Sequence, residues 1–288
     1  MRRVAIVVLV AAAAAASPAA QRPTFRAGVD VVRIEASVMN GRSAVGGLKK
    51  ENFAVTDSGV PQAIDSVSLD RMPLSLMLVF DTSESLLGPP FTALIAATDR
   101  LIDNLRPNEA VALITFSDQV RVAVPSTLDR AALRAALTGL TAAGATSIND
   151  AIVLSLLHRP PSATDARSVM IVFSDGRDTA SWLGSSQALA AVRRSGMLVH
   201  VVELRPEAGA TNFARELAKA GGGRVWSARS AGALRELFER VLDELRARYL
   251  ITYYPSGVPA AFWHNVKVKL KNARGEVTAR PGYYVGSQ

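Results

Sequence analysis

The stretch that decides the fold is LSLMLVFDTSESL, residues 74–86. Its first half is a nearly continuous apolar run of strand length, which is typical of a strand buried on both faces of a sheet. Its second half places a carboxylate and two hydroxyls at every second position, in Asp81, Ser83 and Ser85. Such residues form either a capped polar turn or part of an oxygen-ligand metal site. The rest of the chain decides between the two interpretations.

Apolar runs of strand length alternate with helical patterns over residues 73–247. Asp129 and Ser230 stand where N-caps are expected, directly before two of the helical patterns. Strands that alternate with helices form parallel sheets, because each helix carries the chain back across the sheet. The sequence therefore predicts an α/β domain with a doubly wound, mostly parallel sheet flanked by helices.

The two flanks of this domain have a different pattern. Residues 21–72 and 248–288 contain short runs of strand type separated by turn signals such as Asn40-Gly41 and Asp57-Ser58-Gly59. The sequence thus predicts β-rich N- and C-terminal flanks, and leaves open whether they pair with each other.

The N-terminus has the layout of a secretory signal peptide. A basic Met1-Arg2-Arg3 precedes the apolar run Val4–Ala16, and small residues follow at 17–20. The run is too short to anchor the chain in a membrane, and no second long apolar segment follows. We expect residues 1–20 to be removed from an exported, periplasmic or secreted protein without a stable membrane anchor.

Composition and charge exclude several classes of function. The chain of 288 residues has no cysteine, which excludes disulfides, thiolate metal sites and cysteine nucleophiles. Its net charge of +8 is concentrated at the C-terminus, where residues 248–288 contain six basic residues and one acidic residue. Lys267, Lys269 and Lys271 alternate there with apolar residues, a pattern that favours a wet strand face serving solubility. No nucleic-acid motif accompanies the charge, so we expect no nucleic-acid partner.

Three loops of the α/β part carry oxygen-bearing side chains. Asp81, Ser83 and Ser85 follow the first strand, Thr146 precedes a predicted helix, and Asp175 follows a later strand. Ligands of open α/β sheets bind beyond the carboxyl ends of the strands, near the point where strand order reverses. Three such loops at one edge are less expected by chance than any one alone.

In this pattern the chain resembles the von Willebrand factor type A fold, whose metal-ion-dependent adhesion site uses D-x-S-x-S, a distant threonine and a distant aspartate. The flanks resemble a narrower bacterial group, the related domain family best represented among acidobacterial exported proteins. The segments that carry this second resemblance are Leu48–Phe53, Gly59–Gln62, Tyr249–Pro255 and Arg280–Val285.

The resemblance implies a cation site and a mode of binding. Ser83, Ser85 and Thr146 would coordinate a divalent cation through their hydroxyls, and Asp81 and Asp175 would act directly or through water. Mg²⁺ suits such oxygen ligands, with Mn²⁺ and Ca²⁺ as alternatives. An open coordination position would attract an Asp or Glu side chain from a protein partner.

The sequence contains no phosphate-binding loop, dinucleotide fingerprint, nucleophile elbow or H-E-x-x-H pair, so we expect no enzyme. Two alternatives stay open. In one, the protein is a structural or assembly component with a vestigial metal site. In the other, the protein is a metal-dependent hydrolase. Nothing in the chain supplies the general base that such a reaction would need.

Overall fold

The computed structural model describes residues 31–69, 72–159, 166–175, 177–204, 211–228 and 230–285. The predicted signal segment lies outside this described part of the chain. In chain order the elements are β1 (Val32–Asn40), β2 (Ser43–Ala44), β3 (Phe53–Asp57), β4 (Val60–Gln62), β5 (Ile64–Leu69), β6 (Leu74–Asp81), α1 (Pro89–Asp103), β7 (Ala110–Phe116), β8 (Val120–Thr127), α2 (Arg130–Thr138), α3 (Ile148–Leu157), β9 (Arg167–Ser174), α4 (Ser185–Ser195), β10 (Leu198–Leu204), α5 (Asn212–Ala220), β11 (Val225–Ala228), α6 (Ala231–Arg246), β12 (Tyr249–Tyr253), β13 (Trp263–Leu270), β14 (Glu276–Ala279) and β15 (Gly282–Tyr284).

The α/β domain contains a six-stranded sheet in the order β11-β10-β9-β6-β7-β8. All neighbouring strands are parallel except β8, which is antiparallel to β7 at one edge. Strand order reverses between β6 and β9, so this pair forms the topological switch point. The predicted fold class, a doubly wound and mostly parallel sheet with β-rich flanks, is confirmed.

Both faces of the central strands are buried, as the apolar run at residue 74 predicts. Leu76, Leu78 and Phe80 of β6 pack into the hydrophobic cluster that includes residues of α1, α2 and α6. Met77 and Val79 point the other way, into the cluster formed with α3, α4 and α5. The side-chain alternation of a strand therefore lets one nearly continuous apolar run pack against both helix layers.

Strands from the two flanks interleave in one β-rich module. One sheet has the order β14-β1-β12-β5, with β2 beside β1, and the other has the order β15-β13-β3-β4. In the first sheet β1, from the N-terminal flank, pairs with both β12 and β14 from the C-terminal flank. The module is thus built from both ends of the chain, and the α/β domain is formed by the sequence between them.

A buried aspartate organises the interior of the β-rich module. Asp57 is fully buried, and its Oδ2 accepts hydrogen bonds from the hydroxyls of Tyr253 and Tyr283, each at 2.9 Å. Its Oδ1 lies 2.9 Å from Nδ1 of His264. A buried carboxylate needs such partners, and here they come from three separate strands of the C-terminal flank.

Charged groups join the module to the α/β domain. Arg248, which follows α6, is buried and donates hydrogen bonds to Glu244 Oε1 at 2.7 Å and to the carbonyl of Gly222 at 3.0 Å. Gly222 has φ +71°, and a Cβ atom there would lie 2.4 Å from the backbone nitrogen of Arg280. Only glycine permits this approach of the two parts.

Within the described residues, none of the helices combines the length and the apolar character required to cross a membrane.

Candidate metal centre

The switch point brings two carboxylates to the same edge of the sheet. Asp81 is the last residue of β6, and Asp175 directly follows β9, the parallel neighbour of β6. Carboxyl ends of parallel strands meet at one edge, which is where open α/β sheets bind ligands. The structure therefore brings together the first and last residues of the predicted site.

Asp81 is fully buried and fixed by two hydrogen bonds. Its Oδ1 accepts from the backbone N–H of Ser83 at 2.9 Å, and its Oδ2 accepts from the hydroxyl of Ser174 at 2.6 Å. Burial raises the pKa of Asp81, the hydrogen bonds from Ser174 and Ser83 oppose this, and repulsion by Asp175 adds to the rise. The two carboxylates thus interact electrostatically in a region shielded from water.

The hydroxyl groups of the two serines of the motif, Ser83 and Ser85, lie next to each other. Ser83 precedes a short 3₁₀ helix over Glu84–Leu86, and its hydroxyl oxygen lies 2.9 Å from that of Ser85. Ser83 is buried and Ser85 is exposed. The pair therefore leads from the buried Asp81 carboxylate to the surface.

Thr146 is carried to this edge by a loop that is hydrogen-bonded to the motif. The N–H of Ala143 donates to the carbonyl of Thr82 at 2.8 Å, and the N–H of Glu84 donates to the carbonyl of Gly144 at 3.0 Å. Thr146 itself donates its N–H to the hydroxyl of Thr179 at 3.0 Å. The first two bonds fix the loop before Thr146 and the third uses its backbone N–H, so none of the three involves the Thr146 hydroxyl.

Gly144 makes room for a third carboxylate behind the loop. Its φ is +83°, and a Cβ atom there would lie 2.2 Å from Oδ2 of Asp118. Oδ1 of Asp118 accepts a hydrogen bond from the N–H of Ala145 at 2.8 Å. Ala145 is therefore accommodated in this loop, whereas Gly144 cannot be replaced without displacing Asp118.

The donor set fits a hard divalent cation. Oδ1 of Asp175 is buried and has no hydrogen-bond partner among the described residues, an arrangement that costs free energy unless something else binds that oxygen. No group of three or more His, Asp and Glu that could hold a metal occurs in the described ranges, so such a site needs hydroxyl ligands as well. Two carboxylates and three hydroxyls are ligands of the kind that Mg²⁺ accepts.

Three residues that support the site were not among the sequence-predicted ligands. Ser174 orients Asp81, Asp118 holds the Thr146 loop, and Thr179 receives the N–H of Thr146. Ser174 and Asp118 each stand at or just beyond the end of a strand, β9 and β7. Their position at strand ends was a signal that could have drawn attention to them, although their partners could not be deduced.

Large apolar side chains lie exposed around this edge. Trp182 is 96% exposed and Leu87, two residues after Ser85, is 61% exposed. The loop bearing Trp182 is held to the first turn of α3, because the N–H groups of Trp182 and Leu183 each donate to the carboxylate of Asp150 at 2.9 Å. The tryptophan is therefore presented on a fixed backbone.

The fold and the edge define a class of protein, a doubly wound α/β domain with a polar site at its switch point. Residues 76–177 match the von Willebrand factor type A domain family. The α/β part of this chain is therefore similar to von Willebrand factor type A domains in sequence and has their fold, and such domains are commonly protein-interaction or adhesion modules. The narrower resemblance of the flanks to an acidobacterial group stays a prediction.

Individual proteins show the same likeness. The uncharacterized protein sll0103 of Synechocystis sp. is 29% identical over 110 residues, which are 38% of this chain and 26% of that protein; the match spans about a quarter of its length. The fold resembles the von Willebrand factor type A structure from Catenulispora acidiphila, with 15% identity, TM-score 0.56 and coverage of 87% and 76% of the two chains. It also resembles the vWF domain of the type V pili tip protein Mfa5 from Porphyromonas gingivalis, with 12% identity, TM-score 0.52 and coverage of 61% and 96%.

Proposed function

We propose that this protein is an exported, non-enzymatic binding module that captures an Asp or Glu side chain of a protein partner through a divalent cation, with Mg²⁺ as the first candidate. The observation that carries the proposal is the convergence of three oxygen-bearing loops on one edge, where Oδ1 of Asp175 is buried without a partner among the described residues. Export rests on the signal-peptide pattern of residues 1–20.

Each residue of the site has a proposed role. Ser83, Ser85 and Thr146 would hold the cation by their hydroxyls, and Asp175 would contribute its unpartnered oxygen. Asp81, whose two oxygens are already hydrogen-bonded, would orient Ser83 and act on the cation directly or through water. When bound, the cation would supply an open coordination position that favours a carboxylate ligand.

The exposed apolar rim supports a protein partner. Trp182 and Leu87 flank the proposed capture point, and tryptophan is enriched among the residues that dominate interface energies. A partner segment would therefore place an acidic residue on the cation and an apolar residue against Trp182.

The first test is a thermal melt of the purified protein in EDTA and in Mg²⁺, Mn²⁺ or Ca²⁺. A cation at a hundredfold over its Kd stabilises the folded state by about 2.7 kcal/mol. That corresponds to a rise in Tm of roughly 5–10 °C for a chain of this size. Ser83→Ala should abolish this rise in Tm.

The matched control is Ser155→Ala, which should keep the rise. Ser155 is also buried but lies in α3, and its hydroxyl has no hydrogen-bond partner among the described residues. A rise that persists in Ser83→Ala would exclude the proposed ligand set.

The second test addresses the acidic ligand. Random peptides displayed on phage would be selected on the immobilised protein in Mg²⁺ and eluted with EDTA. We expect enrichment of Asp or Glu, lost with Ser83→Ala and kept with Ser155→Ala. Enrichment of sequences without an acidic residue would contradict capture of a carboxylate.

A further inference from the structure

A second candidate binding site lies away from the metal edge, between the β-rich module and the α/β domain. It is a cleft of about 1160 Å³ between the outer face of the β3–β13–β15 sheet and helices α4 and α5. Small-molecule pockets usually measure roughly 300–1000 Å³. The volume therefore suits a chain segment better than a single small ion.

Positive charge dominates the walls of the cleft. Its lining includes Lys267 and Lys269 from β13, Arg193 and Lys219 from α4 and α5, and Arg280, against one acidic residue, Glu216. Arg280 donates a hydrogen bond to the carbonyl of Arg33 at 2.8 Å. The other four cations are exposed and form no ion pair within the described part of the chain. A cleft lined by one sign of charge concentrates ligands of the opposite sign.

The lysines have the spacing of an extended partner. Lys267 and Lys269 are alternate residues of β13 and point to the same face, about 7 Å apart along the strand. Alternate side chains of an extended peptide have the same separation, so acidic residues at every second position would meet both lysines. The sequence predicts a solubility face here, whereas the structure shows Lys267 and Lys269 lining an interdomain cleft.

One side of β13 also has unpaired backbone next to these lysines. β13 pairs with β15 only through Trp263–Asn265, and the N–H of Val266 then donates to the carbonyl of Pro281 at 2.8 Å. β3 pairs with the opposite side of β13. Beyond Val266, none of the described strands pairs with the β15 side of β13. β14 lies beside this edge but pairs with β1, so the backbone groups of β13 without a strand partner are available for individual hydrogen bonds to a bound segment and not for a full additional strand.

We propose that the cleft binds an extended acidic segment of a protein partner, with Asp or Glu at every second residue facing Lys267 and Lys269 and the opposite wall supplied by Arg193 and Lys219. The proposal is independent of the cation site, because none of the five predicted metal ligands lines the cleft.

The test uses two blocked octapeptides of identical composition, (Glu-Thr)₄ and Glu₄-Thr₄, with binding measured in EDTA by isothermal titration calorimetry. The alternating peptide should bind at least fivefold more tightly than the block isomer. Equal affinities would overturn the extended register. An oligogalacturonate of the same charge is the third ligand, since the tilted rings of Trp263 and Tyr284, with centroids 4.6 Å apart, line the cleft and could contact a sugar. Tighter binding of the sugar would overturn a peptide occupant.

Charge variants test the location. Lys267→Gln/Lys269→Gln should raise the Kd of the alternating peptide at least tenfold. Arg193→Gln/Lys219→Gln should raise this Kd by the same factor. Because these two residues lie on helices, this variant still tests the site if the strand variant fails to fold. The matched control is Lys49→Gln/Lys50→Gln, which removes equal charge from exposed positions outside the cleft and should change the Kd less than twofold. An equal loss in the control would overturn the site, and Ser83→Ala should have no effect.

Discussion

The hydroxyl of Ser174 donates a hydrogen bond of 2.6 Å to Oδ2 of Asp81 across the switch point of the sheet. Both residues are buried at the carboxyl ends of adjacent parallel strands. The bond ties the last residue of β9 to the last residue of β6, so the two loops that begin there share one anchor. Asp175, the residue after Ser174, is thereby held beside Asp81.

Ser174→Ala should therefore loosen the site as well as the fold. A hydrogen bond to a charged group contributes about 1.5–3 kcal/mol, so the free energy of unfolding in EDTA should fall by that amount. The Kd for Mg²⁺, measured by calorimetry, should rise as well, since Asp81 would lose its fixed orientation. Unchanged Mg²⁺ affinity at reduced stability would limit Ser174 to a structural role.

Asp175→Asn should have opposite effects in the two buffers. The carboxylate of Asp175 repels that of Asp81, so its neutralisation should raise the free energy of unfolding in EDTA, by an amount of order 1 kcal/mol. In Mg²⁺ the variant should gain no stability, because its unpartnered ligand oxygen has lost its charge. Melts in both buffers test this, and destabilisation in EDTA would show that Asp175 is needed by the fold instead.

Trp182→Ala should separate partner contact from stability. The side chain is 96% exposed, so its removal should change the free energy of unfolding by less than about 0.5 kcal/mol and leave the Mg²⁺-induced rise in Tm intact. Peptide selection on this variant should still enrich Asp or Glu but no longer enrich apolar residues beside them. The same apolar preference in variant and parent would remove Trp182 from the interface.

Removing a charge from the buried group of Glu244, Arg248 and His200 at the domain junction should lower the free energy of unfolding far more than removing one from a surface ion pair. Burial raises the pKa of Glu244, but Arg248 and His200 outweigh it, and the net pKa lies below the ordinary value. Oε2 of Glu244 is 3.2 Å from Nε2 of His200. Glu244→Gln leaves the buried Arg248 with only Glu35, at 3.8 Å and partly exposed, as a countercharge and should cost about 3–5 kcal/mol.

Glu276→Gln is the comparison for this prediction. Glu276 pairs with Arg224 at 3.0 Å, but its side chain is 76% exposed, so the loss should be below about 1 kcal/mol. Urea unfolding of both variants measures the difference. Equal losses would mean that the junction carries little of the stability.

The sequence predicts the parts of this molecule that depend on local pattern. The nearly continuous apolar run before Asp81 predicts a doubly buried strand, and the three oxygen-bearing side chains at every second position after it predict a ligand-type loop. The position of Asp175 follows from the rule that strand ends of a parallel sheet meet at one edge. These features need no knowledge of distant contacts.

Features that depend on partner choice are not predictable in this way. The alternation in β1 indicates which side chains point inward, but not that β12 and β14 lie beside it, because a period of two is common to all strands. Likewise, Asp118 and Gly144 are far apart in sequence, and their contact depends on the course of two loops. The cleft around Lys267 exists only because the module packs on α4 and α5.

The cluster around Asp57 should make the protein sensitive to alkali. Burial raises the pKa of the Tyr253 and Tyr283 hydroxyls well above the ordinary value, and their hydrogen bonds to Asp57 raise it further. In the unfolded chain both ionise near pH 10. Their contribution to stability is therefore complete below pH 10 and is lost as the pH rises above it, at about 1.4 kcal/mol per pH unit for each tyrosine.

Tyr283→Phe should remove one tyrosine's share of that dependence. The free energy of unfolding, from urea titrations at pH 8, 10 and 11, should fall less steeply above pH 10 than in the parent. At pH 8 the variant should be less stable by about 1–3 kcal/mol, because Asp57 loses a buried donor. Tyr254→Phe, at a tyrosine that is 54% exposed, is the matched control and should keep the parent's slope. The free energy of unfolding of Tyr283→Phe could instead fall with pH as steeply as that of the parent. The Tyr283 hydroxyl would then ionise as readily in the folded protein as in the unfolded chain, and its hydrogen bond to Asp57 would not raise its pKa.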